Sequence, residues 1–312
     1  MTAGVVLMTY GAPTGPEDLP AYLARVRGGR EPSAELVAEF ARRYERIGWS
    51  PLVRITAAQA EALEGELGDG WRAAAGMRYS HPTIAQAVER LVGAGAERLV
   101  GVVLSPQWSE AIMGGYARAL EEAAASASPR VGVAVPRAWH REPAFLDALA
   151  ERVREALAGL EDPERVPLLL TAHSLPRRVF DAEPGYVAQL KETAELVAHR
   201  AGVAPERWRW AYQSAGHTAE EWLRPDLKEL FPAIAAEGHR DVLVVPVQFL
   251  ADHLEVLYDL DVAAAEEARA AGLRYHRIEM PNTQPAFIRA LAAVARGAAP
   301  LSGEAERGKM KA

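Results

Sequence analysis

Short apolar runs constrain this chain more than any other feature. They are Val5–Thr9, Arg98–Leu104, Arg130–Val135, Val166–Thr171 and Val242–Val247. Each is too short for a stable helix and too continuously apolar for a strand with one wet face, so each reads as a strand buried on both sides. Amphipathic stretches with helical spacing lie between them: Ser33–Ile47, Thr56–Leu67, Thr83–Gly93, Pro143–Leu157, Tyr186–Ala201 and Pro225–Glu237. Buried strands alternating with helices predict a parallel sheet covered on both faces.

The pattern occurs twice. GVVLMTYGAP near the start matches VPLLLTAHSLP at Val166–Pro176, a strand with a polar end residue and then a turn carrying proline. Leu99–Tyr116 and Asp241–Tyr258 match in the same way, each a strand running to a proline, then an aromatic residue, then a closing tyrosine. The expected fold class is therefore α/β, with two similar doubly wound, Rossmann-like domains whose parallel sheets face a central cleft. A length of 312 residues suits two domains. The expected first domain covers 1–160 and the second 161–302, the join falling in Gly159–Arg165 and a polar tail occupying 303–312. The last helix is expected to pack back. Ligands of open α/β sheets bind beyond the carboxyl ends of the strands. Tyr10, Ser105, His173 and Gln248 all follow predicted strand ends, so they are expected to line one cleft.

Composition excludes several chemistries. The chain has no cysteine, which rules out disulfides, cysteine-held iron–sulfur clusters and thiolate metal sites. Any metal must take nitrogen and oxygen ligands. The formal charge is −7 and no basic block occurs, so nucleic acid is not an expected partner. No G-x-G-x-x-G follows the first strand, and no Walker motif, nucleophile elbow or H-E-x-x-H is present. The start, MTAGVVLMTYG, lacks the basic region of a signal peptide, and no run of eighteen apolar residues exists. A cytoplasmic protein without a membrane span is expected, and a monomer.

Two places offer chemistry. His173 closes the buried run of T-A-H-S-L-P. It is either a loop-capping ring or a proton acceptor and metal ligand. The segment Q-F-L-A-D-H-L-E-V-L-Y-D-L-D follows another strand end. Read as a helix, it puts Asp252, Glu255 and Asp259 on one face. That is either a solvated acidic face or a cleft stripe that welcomes a hydrated cation. His253 is expected about a quarter-turn from that face, in a supporting role. Tyr10 sits at the first strand end, where Gly11 permits a tight turn and Pro13 stiffens it. Arg25, Arg27, Arg30, Arg42, Arg43 and Arg46 crowd the first two helices, and those facing the cleft suit ligand carboxylates.

These motifs resemble ferrochelatases. The matching stretches are M-T-Y-G-A-P, R-Y-E-R-I-G-W-S-P-L, T-A-H-S-L-P, Y-Q-S-A-G-H-T, V-P-V-Q-F-L-A-D-H-L-E-V-L-Y-D and M-P-N-T-Q-P, running from Met8 to about Ala290. Within the family the chain is most similar to bacterial coproporphyrin III ferrochelatases. The resemblance implies two Rossmann-like domains around a porphyrin cleft, no organic cofactor, and Fe²⁺ and coproporphyrin III as substrates in haem biosynthesis. It places the metal-handling pair on His173 and Glu255, with Asp259 as a further metal candidate. It puts the tyrosine of the other porphyrin face on Tyr10, and porphyrin contacts on Arg27, Arg43, Tyr44, Ser50 and Tyr116. It also implies a transient handover to the next haem-pathway enzyme. There are departures. The turn before Ser50 is one residue short, Arg78-Tyr79 stands where some relatives carry lysine and histidine, and Ala263 stands where some carry a glutamate. Glu266 and Glu267 are candidates to replace that glutamate. The competing readings are a cobalt or nickel chelatase for a related tetrapyrrole, a porphyrin or haem carrier without turnover, and a two-domain solute-binding protein.

Overall fold

The computed structural model of the chain describes residues 2–127, 130–216 and 220–298. The expected tail at 303–312 lies outside the described residues, as do His217 and Thr218 of Y-Q-S-A-G-H-T. In the first half the elements are β1 (Thr2–Thr9), α1 (Leu19–Val26), α2 (Ala34–Arg46), α3 (Leu52–Leu67), β2 (Trp71–Met77), α4 (Ile84–Gly93), β3 (Ala96–Val103), α5 (Glu110–Ser126), β4 (Gly132–Ala134) and α6 (Pro143–Ala158). The second half holds β5 (Leu168–His173), α7 (Arg177–Ala182), α8 (Pro184–Ala201), β6 (Trp208–Gln213), α9 (Leu227–Ala236), β7 (Asp241–Pro246), a π-helix (Glu255–Ala264), α10 (Ala265–Ala270), β8 (Arg274–Arg277) and α11 (Pro285–Ala298).

All strand pairs are parallel, and the two sheets share one order, β2-β1-β3-β4 and β6-β5-β7-β8. The repeated sequence pattern is thus a repeated architecture. The central strands are apolar throughout because helices cover both faces; Val5, Val6, Leu7 and Met8 are fully buried. β2 escaped the apolar-run reading because it is built of Ala73, Ala74, Ala75 and Gly76. Its small residues have a packing reason. A Cβ on Gly76 would lie 2.9 Å from Ile84 Cα, so α4 sits almost on the strand backbone. β6 and β8 are edge strands with polar residues, which carry no buried-run signal.

One core joins the halves. Val5, Leu7 and Val102 of the first sheet and Leu168, Leu170 and Val245 of the second belong to one buried cluster. Phe145 of α6, Val197 of α8 and Phe287 of α11 fill it between the sheets. α11, the last element among the described residues, packs against α3 and α6 of the first half. This shared core fixes the relative placement of the two sets of strand ends.

Candidate active site

Polar residues just past the strand ends of the two halves lie close enough for Glu255 to act on Tyr10. Tyr10 directly follows β1, and Gly11 turns the chain away at φ +91°. A Cβ there would also meet Ser80 Oγ at 2.2 Å, so the turn needs glycine on both counts. Tyr10 is 44% exposed, the only large apolar side chain among the described residues left so open. Its ring lies 4.6 Å from that of Tyr79. Burial of the hydroxyl pushes its pKa up to about 12, with Tyr79 and Glu255 adding to the shift.

His173 is the last residue of β5. Its backbone N–H donates to Gln248 Oε1 at 2.9 Å, and Gln248 Nε2 donates to the Tyr186 hydroxyl at 2.8 Å. Its Nδ1 lies 2.5 Å from the Ser174 carbonyl oxygen. A carbonyl only accepts, so Nδ1 carries the hydrogen and the neutral ring keeps its lone pair on Nε2. That nitrogen faces Glu255 Oε1 at 3.7 Å, with the two side chains 26% and 38% exposed. The Trp222 ring stands beside the imidazole, 6.3 Å between centroids.

Glu255 opens the π-helix, and its second oxygen lies 3.6 Å from His253 Nε2. The expected helical stripe is corrected here in two respects. Residues 249–253 form no helix, so the phase that would turn His253 aside does not apply, and His253 flanks Glu255 directly. Asp252 leaves the stripe altogether. Asn282 Nδ2 donates to its carboxylate at 2.8 Å, and Arg277 approaches its other oxygen at 3.8 Å. Asp259 stays near Glu255, one turn on in the wider i→i+5 helix. Burial raises its pKa and Glu255 adds to the rise, against a bond with Ser214. Glu267 lies beside Asp226, whose charge adds to the effect of burial in raising its pKa. Among the described residues no three His, Asp or Glu side chains form a ready metal cage.

The charges divide the roles. Burial opposes ionisation of Glu255, but the charge that His173 carries when protonated and the bond and charge of His253 outweigh it and hold the carboxyl at about 2. Burial likewise opposes the His253 cation, yet the bond and charge of Glu255 raise its pKa above the ordinary value. The His253 contribution to stability is therefore full below the unfolded imidazole value of about 6.5 and fades as pH rises through the folded value. In metal-free Glu255→Gln the burial effect on His253 loses its main opponent. Its ring should then titrate at lower pH than in the parent, as read by ¹³C–¹H NMR. Identical titration in both proteins would remove Glu255 as its partner.

Of the remaining candidates, Tyr44 and Tyr116 lie near enough to Tyr10 for its hydroxyl to act on theirs. Tyr44 is 3% exposed, stacks on Trp49 at 5.4 Å, and bonds Tyr22, while burial raises its hydroxyl pKa. Tyr116 is 7% exposed and carries the Arg78 guanidinium 5.2 Å over its ring. Arg43 pairs with Glu39 at 2.5 Å and lies 5.4 Å over the Tyr258 ring of the π-helix. Arg27 is exposed at the end of α1. The short turn takes Gly48 to φ +70° and Trp49 to φ +68°, a left-handed conformation unusual for tryptophan. Ser50 Oγ accepts from the Leu52 N–H at 3.3 Å and so caps the entry to α3.

Two parallel sheets of one order, with a histidine and a carboxylate meeting beyond their strand ends, define a chelatase-type α/β protein. The Bacillus subtilis protein SirB, solved with Fe³⁺, shares the fold at TM-score 0.63 and 15% identity over 96% of both chains. The ferrochelatase family model matches residues 2–299. A coproporphyrin III ferrochelatase of Geobacillus kaustophilus is 39% identical over 94% of this chain and 95% of its own. A ferrochelatase of Deinococcus radiodurans is 38% identical over 93% and 94%. The chain belongs to the ferrochelatase family and is a metal-chelating lyase of haem biosynthesis.

Proposed function

We propose that this chain inserts Fe²⁺ into coproporphyrin III, with His173 taking pyrrole protons and Glu255 handling the metal. The observation that carries the reading is the His173–Glu255 pair, in which Ser174 fixes the tautomer, Nε2 is left to accept a proton, and the carboxylate 3.7 Å away would hold the imidazolium so formed. Insertion exchanges one Fe²⁺ for two pyrrole protons, so the site needs a base that works near neutral pH. Glu255, at about 2, is too weak a base, and Tyr10, at about 12, stays a phenol. Imidazole is the side chain suited to the task. An ionised Glu255 offers Fe²⁺ a hard oxygen ligand without first losing a proton. Tyr10 presents an exposed ring where a flat macrocycle would cover it.

The choice of porphyrin rests on the relatives named as coproporphyrin III ferrochelatases and on cationic side chains at the cleft wall. Coproporphyrin carries four carboxylates and protoporphyrin two. Arg43 is held by Glu39 in the free protein, and a substrate carboxylate would take its place; Arg27 is exposed just past α1. A charge-assisted bond contributes about 1.5–3 kcal/mol when partly desolvated and less when exposed. A gain of about 1.4 kcal/mol, net of the Glu39 bond given up, corresponds to a preference of about tenfold. Specificity constants for the two porphyrins, measured anaerobically with Fe²⁺ in matched detergent, test this. Equal constants would refute the preference, and a preference unchanged in Arg43→Ala would discard that arginine as its reader.

A further inference from the structure

We propose that Asn282 is a positioning residue for the iron-handling segment, clamping Asp252 and tying the loop that carries His253 and leads into Glu255 to α3 of the opposite half. The inference rests on the role given to Glu255 above and deepens it.

Residues 249–253 belong to no helix or strand, so their backbone draws no order from a hydrogen-bonded ladder. Asn282 supplies the missing bonds. Its N–H donates to the Leu250 carbonyl at 3.0 Å. Its Oδ1 accepts from the Asp252 N–H at 2.9 Å, and its Nδ2 donates to the Asp252 carboxylate at 2.8 Å. Only a side chain with a donor and an acceptor on one planar group makes both of the last two bonds, and the amide does so in one orientation. Its own carbonyl accepts from Gln59 Nε2 at 2.8 Å, and Gln59 is fully buried in α3. Asn282 holds this geometry at φ +44°, the left-handed region that asparagine tolerates better than other side chains. His253 directly follows the clamped Asp252 and reaches Glu255 at 3.6 Å. The clamp therefore sets where the histidine and carboxylate project, and it does so relative to the first half of the protein.

Asn282→Gly tests this. Glycine accepts the left-handed backbone and keeps the bonds to Leu250 and Gln59, so only the side-chain clamp is lost. Hydrogen exchange read by mass spectrometry should show the 250–258 region exchanging at least about tenfold faster, with β1 and β5 unchanged. Iron insertion should lose about tenfold or more in kcat, the range for residues that orient a metal-handling group, while porphyrin KM stays within about twofold. Asn282→Asp sets a carboxylate against Asp252 and should lose more. Measured against the parent at the same pH, part of that deficit should close as pH falls and the new carboxyl regains a donor. The exchange measurement needs no turnover, so it stands or falls separately from the chelatase reading. Parent-like exchange in Asn282→Gly would overturn the clamp. Faster exchange with unchanged kcat, or activity lost only with a matching rise of exchange in β1 and β5, would overturn its positioning role.

Discussion

Replacing His173 with alanine should lower iron insertion by at least about a hundredfold, the lower end of what a positioned general base contributes. The size follows from the lack of a substitute. Glu255 is held at about 2 and Tyr10 is pushed to about 12, so neither exchanges a proton readily near neutral pH. His253 donates its Nδ1–H to the Ala251 carbonyl, and the bond and charge of Glu255 outweigh burial and raise its pKa, so it keeps its proton to higher pH than a free imidazole. The fold should survive the substitution. The imidazole is 26% exposed, and the bond that anchors the strand end to Gln248 uses the His173 backbone. Anaerobic absorbance on metalation gives the rate, and porphyrin fluorescence quenching gives the binding. Near-normal turnover in His173→Ala would remove the residue from the chemistry. Lost porphyrin binding with normal turnover at saturation would make it a binding residue instead.

What could be read from the sequence follows burial. β1, β3, β5 and β7 are covered on both faces and are visible as apolar runs, whereas Arg130–Val135, which reads the same way, holds only the short and partly exposed edge strand β4. β2 was hidden because close helix packing demands alanine and glycine there, and those residues carry no strand signal. β8 lies at a sheet edge, where Arg274, His276 and Arg277 serve ion pairs with Asp241 and Asp261. His173 and Tyr10 were legible because a strand that ends in a polar residue leaves few choices for where that residue sits. The second segment was legible in content and not in shape. Helical phase holds from Glu255 onward in widened form, but no side-chain pattern announces an i→i+5 ladder or the irregular turn before it. The partner that removes Asp252 from the stripe is Asn282, 30 residues later, and only the folded chain brings it there.

Glu255→Gln should retain porphyrin binding while lowering the specificity constant for Fe²⁺ by roughly ten- to a hundredfold. The amide keeps the shape and some of the ligand capacity of the carboxylate but loses its charge. A hydrogen bond or ligand contact to a charged group contributes about 1.5–3 kcal/mol, and about 1.4 kcal/mol is tenfold. The lower end of the range applies if solvent screens the site, since the side chain is 38% exposed. The metal should feel the loss more than the porphyrin, because the carboxylate lies between two imidazoles at 3.7 and 3.6 Å. Combining the change with His173→Ala gives the sharper outcome. Residues that act as one unit are strongly non-additive, so the double variant should fall little below His173→Ala alone. Losses that multiply in full would mean that the two side chains work independently, and the proposed pair would then be wrong even if each residue matters. A Glu255→Gln protein that loses porphyrin binding but inserts iron normally at saturating porphyrin would move the carboxylate out of metal handling.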